Sequence, residues 1–435
     1  MEPRPLLENS KPHLSKALAR STDLVVQKGQ GPYLYTADGE RYLDFVMGIA
    51  VNSLGHNHPA VVAAAKQQIE NLIHGSFNLV YYPSAMQLAI DLAAVAPGDI
   101  DAFFFSNSGA EAVEGALKLA RYTTRRPAFI AFTGAFHGRT MGATSMTSSS
   151  GSFRLHYAPF LPSIFHAPYP YCFRCEFGRS ESNCSLECLS QLRRMLDLVI
   201  RPEDVAAVLI EPMQGESGYI PAPKRFIQAL RNLCDELGLL LIFDEVQSGF
   251  GRTGEMFAAD YYGVAPDIIC LGKAIASGFP LSAVGARKEL MDKWSPGAHG
   301  TTFGGNPVSC AAAVATLKAF HEEGIVQRSR ETGAYLRSRL DALRQYPIVG
   351  DVRGLGMMLA VEFVDAKGQP NGPAAAAIIK RCLENKLLLM ACGPHKQCIR
   401  FMAPLNIEKN QLDEGLAVFE EAVQWAATSP EFDAR

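Results

Sequence analysis

Leu240-Leu-Ile-Phe-Asp244-Glu-Val-Gln-Ser-Gly-Phe-Gly-Arg-Thr-Gly254 joins an apolar run to an acidic pair and then to a segment punctuated by glycines. An apolar run that ends on an aspartate reads as a buried strand whose polar end emerges at the edge of a sheet. Asp267-Ile-Ile-Cys-Leu-Gly-Lys273-Ala repeats the plan with a lysine, 29 residues after Asp244. A second interval of 29 leads to Thr302 in His299-Gly-Thr-Thr-Phe-Gly-Gly-Asn-Pro307. The expected strand of the first stretch is 239–243 and that of the second is 268–271.

Working outward, short apolar runs at 102–105, 128–132 and 205–210 read as further strands. Segments 111–121 and 224–237 between them carry helical periodicity. Strands alternating with helices predict an α/β fold, a mainly parallel sheet with helices on both faces. Ligands bind at strand ends in such sheets. The unusual residues fall there, at 106–110, 136–140, 211–216, 244–247 and Lys273.

The flanks differ from this middle. Residues 33–44 read as a hairpin around Asp38-Gly39, followed by a Gly-His-Asn-His-Pro turn at 55–59. Beyond Glu322 the chain reads as helix, then strands within 349–364 and 398–404, then a closing helix near 412–426. The expectation is a large domain over 61–322 and a smaller α+β domain from residues 1–60 with 323–435.

The chain has 435 residues, 48% apolar and 20% charged, with a formal net charge of −3. That is the profile of a soluble globular protein with no basic excess to attract a phosphate backbone, which argues against a nucleic-acid partner. No apolar run reaches the length of a membrane helix. The opening Met-Glu-Pro-Arg-Pro-Leu-Leu-Glu-Asn-Ser has Glu2 and Glu8 and no apolar centre, so neither signal nor transit peptide is expected. Ten cysteines in this length make no disulfide scaffold, and a cytoplasmic setting is the expectation.

A carboxylate and a lysine at neighbouring strand ends are what pyridoxal phosphate chemistry requires. The lysine holds the cofactor as a Schiff base, and the carboxylate keeps its ring nitrogen protonated. Lys273 lies between Ile-Ile-Cys-Leu-Gly and Ala-Ile-Ala-Ser-Gly, where desolvation would lower its pKa and make it nucleophilic. A solvated aspartate and a surface lysine are the plainer readings of Asp244 and Lys273, but spacing and context together favour a site. Ser106-Asn-Ser108-Gly109-Ala110-Glu111 follows a strand and opens a helix. It reads both as a capping box, Ser108 with Glu111, and as a phosphate cradle on a helix end.

With these residues in place, the chain from about residue 31 to 416 resembles the class III (ω-amino acid) aminotransferases among the fold-type I pyridoxal-phosphate enzymes. The resemblance is carried by Gly-Ile-Ala-Val at 48–51, Asn-Ser-Gly-Ala-Glu-Ala at 107–112, Phe-His-Gly-Arg-Thr at 136–140 and Ile-Glu-Pro at 210–212. Asp-Glu-Val-Gln at 244–247, Lys273 and Thr-Phe-Gly-Gly-Asn-Pro at 302–307 complete it. It implies that Lys273 carries the cofactor and shuttles the proton, Asp244 binds the ring nitrogen and Gln247 the phenolic oxygen. Val246 and Phe136 would face the two sides of the ring, and Ser108, Gly109 and Ala110 would cradle the phosphate. Thr302 would reach the phosphate in a partner subunit, making the enzyme a homodimer with shared sites. Arg400 would grip an α-carboxylate and Arg139 a distal one. Glu216 would pair with Arg400 when an ω-amine is bound, and Ile49 would line the substrate wall.

Cys172, Cys175, Cys184 and Cys188 form C-x2-C-x8-C-x3-C within 17 residues and lie outside the family pattern. Four thiolates could surround a tetrahedral metal. The reading taken forward is a surface loop of reduced thiols or an occasional disulfide pair, with no metal.

The function expected is transfer of an amino group from 4-aminobutyrate or a similar ω-amino acid to 2-oxoglutarate, acetylornithine and ornithine being alternative donors. One rival is an amino acid racemase or epimerase of the same family, which would need a second acid/base opposite Lys273. Another is a cofactor-binding protein without catalysis.

Overall fold

The computed structural model describes residues 3–432; Glu2, used above in reading the N-terminus, and the outermost parts of both flanks lie outside them. Seven strands form the central sheet, in the order Ala102–Ser106, Ser282–Ala286, Ile268–Leu271, Leu240–Asp244, Val205–Ile210, Ala128–Phe132, Ile164–Ala167. The last five are mutually parallel. Val205–Ile210 is buried at all six positions, as a strand covered on both faces must be. Each buried Val, Leu or Ile there contributes roughly 1.5–3 kcal/mol by leaving water.

The expected strands and helices appear with ends shifted by a few residues: Asp244 is the last residue of its strand, and the helix after the Ser108 turn runs Gly109–Thr124. The departure from a simple parallel sheet is Ser282–Ala286, antiparallel to both neighbours. Its Ser-Ala-Val-Gly-Ala composition carries little strand signal. The connection from Leu271 is too short for the crossover helix that a parallel return needs, so the chain can only come back antiparallel. Ile164–Ala167 was also missing from the sequence reading.

Lys224–Leu237 shows why the helices pack as they do. Phe226, Ile227, Leu230, Leu233 and Cys234 recur on one face and are buried, and Gly238 ends the helix in the left-handed conformation (φ 61°) that glycine adopts without a Cβ clash.

The flanks meet through a strand pair. Tyr33–Thr36 and Arg41–Asp44 form the hairpin, with Val26–Gln30 on its outer side, and Leu387–Leu388 adds parallel to Arg41–Asp44. A second sheet orders Val349–Leu355, Met358–Phe363, Cys398–Phe401 and Met390–Cys392. No helix among the described residues is long and apolar enough to cross a membrane.

Candidate active site

Asp244 ends the central strand and is 6% exposed. Its Oδ1 accepts the Val246 N–H at 3.1 Å, and Oδ2 lies 2.7 Å from Nδ1 of buried His137. His137 is held by its own backbone N–H on Thr147 Oγ1 at 2.9 Å, and its Nε2 has no partner among the described residues. Glu211 completes the buried group. It accepts the Phe136 N–H at 2.8 Å and the Gly215 N–H at 2.9 Å, tying two loops together beneath the strand ends. Burial pushes its carboxyl up to about 7; His137 pulls it down, and Asp244 adds to the rise.

Lys273 follows the neighbouring strand and opens a short 3-10 turn, Lys273–Ala276, with φ 47°. A lysine in the left-handed region is strained, and such strain gathers where a side chain must be aimed. It keeps some accessible surface yet is enclosed by protein. Loss of solvation lowers its pKa, against the pull of Asp244, Glu211 and Glu216 and with the push of Arg400.

Close backbone approach forms the floor. A Cβ on Gly109 would lie 2.7 Å from Val246 Cγ1, and one on Gly272 would lie 3.2 Å from it. The Ser108 turn, Val246 and the residue before Lys273 are therefore in van der Waals contact. Ser108 caps its helix by accepting the Glu111 N–H at 3.3 Å, and Glu111 accepts the Asn107 N–H in return at 3.0 Å. A Cβ on Gly138 would meet that of Ala110 at 2.6 Å, so only glycine lets the 136–140 loop reach the turn. Gln247 lies against Gly215, and its buried Oε1 has no partner among the described residues.

Arg400, on the strand Cys398–Phe401, is buried, and its Nη2 meets Glu216 Oε2 at 3.1 Å. Its Nε and Nη1 have no partner among the described residues. A buried guanidinium with two idle nitrogens is prepared for a second anion.

Three expected residues make none of the hydrogen bonds or ion pairs given above. Arg139 is exposed and stacks on Phe153, 3.7 Å from the ring centroid, with no carboxylate on it among the described residues. Thr302 is exposed, while its neighbour Thr301 accepts from Asn107 Nδ2 at 3.3 Å. Ile49 is 39% exposed within a run of four positive-φ residues, Met47 to Ala50. Asp44 anchors that run by accepting the Val46 and Met47 N–H groups at 2.7 and 3.0 Å. A β-branched residue in this conformation costs about 1–3 kcal/mol, which the anchoring must offset.

The sequence reading assigned no role to His137 or Glu211. Both stood inside quoted motifs, but nothing in the spacing says that His137 meets Asp244, 107 residues on. The four loop cysteines line one cavity of about 20 Å³ with Tyr169, Tyr171 and neighbours. No disulfide joins them, and no group of three or more His, Cys, Asp or Glu among the described residues is arranged to hold a metal ion. Burial pushes the Cys188 thiol up to about 11.

A buried anion, an amine of lowered pKa and a half-satisfied arginine can together hold a cationic ring, supply a nucleophile and grip a carboxylate. Comparison with known proteins narrows this. The profile of the family described as aminotransferase class-III matches residues 15–423. A probable 4-aminobutyrate aminotransferase of Bacillus subtilis (strain 168) is 40% identical over 416 residues, 94% of this chain and 95% of the relative. An alanine/serine racemase of Pyrococcus horikoshii is 37% identical over 426 residues, 96% of this chain and 90% of the relative. The crystal structure of an amine transaminase from an uncultivated Pseudomonas species, in PLP-bound form, superposes with a TM-score of 0.88 at 31% identity, covering 95% of this chain and 98% of that one.

Proposed function

Because the chain belongs to the class-III aminotransferase family, we propose that it uses pyridoxal phosphate to move an amino group from an ω-amino acid, 4-aminobutyrate or a close analogue, to 2-oxoglutarate. The observation that carries the reading is the two charge pairs that bear on Lys273: Asp244 locked to His137, and Arg400 paired to Glu216 with two nitrogens idle among the described residues.

The residues present suit the cofactor. The partnerless Gln247 oxygen marks a buried amide that awaits a polar group, and the Gly109–Val246–Gly272 contacts shape a wall that a Cβ would fill. When bound, the cofactor supplies an electron sink for charge developing at the substrate carbon. Lys273 anchors it and moves the proton at that carbon, a task its lowered pKa suits. Asp244 keeps the ring nitrogen protonated, and His137 keeps Asp244 in place. Gln247 would meet the phenolic oxygen, Val246 and Phe136 would face the ring, and Ser108, Gly109 and Ala110 would take the phosphate at a helix end.

On the substrate side, Arg400 takes the α-carboxylate of 2-oxoglutarate and Arg139 the distal carboxylate. Glu216 neutralises Arg400 when the donor has no α-carboxylate, and Ile49 forms part of the wall.

The reading includes a homodimer. Ile73, Leu79, Tyr81 and Phe303 are 59–81% exposed. Asn78 Nδ2 to Thr301 O at 2.8 Å and Asn306 Nδ2 to Ile73 O at 3.0 Å make their segments one surface. A second copy on this apolar face would bring Thr302 to its neighbour's phosphate turn. The absence of disulfides among the described residues suits a cytoplasmic enzyme.

The racemase relative supports one second reading, return of the proton to the opposite face. The test is to incubate the holoenzyme with 4-aminobutyrate and 2-oxoglutarate and follow glutamate, then with single L-amino acids alone and follow the D-forms. Glutamate formation supports the proposal. D-amino acids without transamination would overturn it.

A further inference from the structure

Glu216 faces two cations, and both ride on one hairpin. Arg400 Nη2 is 3.1 Å from Oε2, and Lys396 Nζ is 3.5 Å from Oε1. The strands Met390–Cys392 and Cys398–Phe401 pair antiparallel, and the turn between them carries Lys396. Arg400 is buried at the base of the hairpin, while the Lys396 side chain is 59% exposed at its tip.

The turn is built to hold this geometry. Gly393 (φ 90°) donates its N–H to the Glu216 carbonyl at 2.8 Å, clamping the carboxylate's own backbone to the hairpin. Lys396 has φ 57° and donates its N–H to the Gly393 carbonyl at 3.0 Å. Buried Gln397 accepts the His395 N–H at 3.0 Å, and a Cβ on Gly393 would lie 2.5 Å from Gln397 Oε1. The left-handed lysine is therefore fixed by its surroundings rather than free to wander.

A substrate α-carboxylate that takes Arg400 in a bidentate pair must displace Glu216. A carboxylate left half-buried without a cation would make that exchange costly. Lys396 lies across the other carboxylate oxygen, so Glu216 can leave Arg400 without losing all compensation. We propose that Lys396 is a positioning residue that receives Glu216 when Arg400 turns to an α-carboxylate, favouring 2-oxoglutarate and glutamate over ω-amines. This rests on the assignment of Arg400 and Glu216 made above.

The test uses purified holoenzyme carrying Lys396→Met or Lys396→Arg, each alone and combined with Glu216→Ala, with kcat and KM measured for 4-aminobutyrate, glutamate and 2-oxoglutarate. Lys396→Met should raise KM for glutamate and 2-oxoglutarate roughly 3- to 10-fold, the range of a partly exposed ion pair, and change that for 4-aminobutyrate by less than about twofold. Lys396→Arg should restore the wild-type pattern. In the Glu216→Ala background, Lys396→Met should change nothing further. If the shift persists in that background, Lys396 attracts the substrate directly and the proposal fails. It also fails if Lys396→Met leaves the preference unchanged while Glu216→Ala alters it. A silent Glu216→Ala would instead overturn the gate reading, and this proposal with it.

Discussion

Asp244 and Glu216 are carboxylates that both act on Lys273, and they are held in opposite ways. Asp244 sits at the end of a central strand, 6% exposed, with a backbone N–H and His137 as partners. Glu216 lies on a loop, its side chain 20% exposed, and its side-chain partners are two cations on a hairpin from the far end of the sequence. The first charge is built not to move. The second is proposed to be exchanged, because a salt bridge with an alternative partner can open at small cost whereas a buried carboxylate tied to the sheet cannot. Rigid charge suits a cofactor used in every turnover, and exchangeable charge suits two substrates of different shape.

Mutations on the rigid side should have the largest effects. Lys273→Ala should lower turnover by at least roughly 100- to 10,000-fold, with cofactor bound but not covalently attached. Steady-state rates and the visible spectrum check this, and near-normal turnover would end the reading. Asp244→Asn should slow donor deamination about 100-fold or more while leaving the protein folded. If its rate were unchanged, the contrast with Glu216 would lose its fixed pole.

On the exchangeable side, effects should depend on the substrate. Arg139→Ala should weaken 4-aminobutyrate and 2-oxoglutarate together, by about 2–5 kcal/mol each if the pair is desolvated in the complex. Arg400→Ala should weaken 2-oxoglutarate and glutamate but largely spare the ω-amine. Binding constants for the three compounds decide it, and full affinity of Arg139→Ala for both partners would remove the distal-carboxylate assignment.

A smaller effect concerns pH. Burial raises Glu211 to about 7, so its contribution to stability is complete below the ordinary carboxylate range and is lost as pH rises through about 7. Unfolding free energy of the cofactor-free protein should therefore fall between about pH 4.5 and 7 and level off above that. Glu211→Gln should flatten that slope by about 1–3 kcal/mol. An unchanged slope would mean that Glu211 stays ionised throughout. The smallest effect is expected at Cys172, Cys175, Cys184 and Cys188. Metal analysis should read background, and a stoichiometric metal would overturn the reduced-thiol reading.

Burial leaves a trace in the sequence where apolar residues run on unbroken or recur at a fixed spacing. Val205–Ile210, buried at every position, could hardly be read otherwise, and Lys224–Leu237 carries its buried face at helical spacing. Ser282–Ala286 left no such trace, because its small residues gain strand character from the two neighbours that pair with it. Asp244 and Lys273 were legible because a charged residue closing an apolar run contradicts its local context. His137, Glu211 and Lys396 were not: each is an ordinary polar residue until the fold supplies its partner.

The sequence by itself determined the alternation of strands and helices, the charged residues at strand ends and the family pattern, since these are written in local order and spacing. Only the tertiary structure decided that His137 holds Asp244, that Glu211 joins two loops and that Glu216 lies between Arg400 and Lys396. Those contacts span up to about 180 residues of chain, and no local propensity encodes them. They exist because burying the apolar sheet brings distant strand ends to one edge, where unpaired charges must find each other or remain costly.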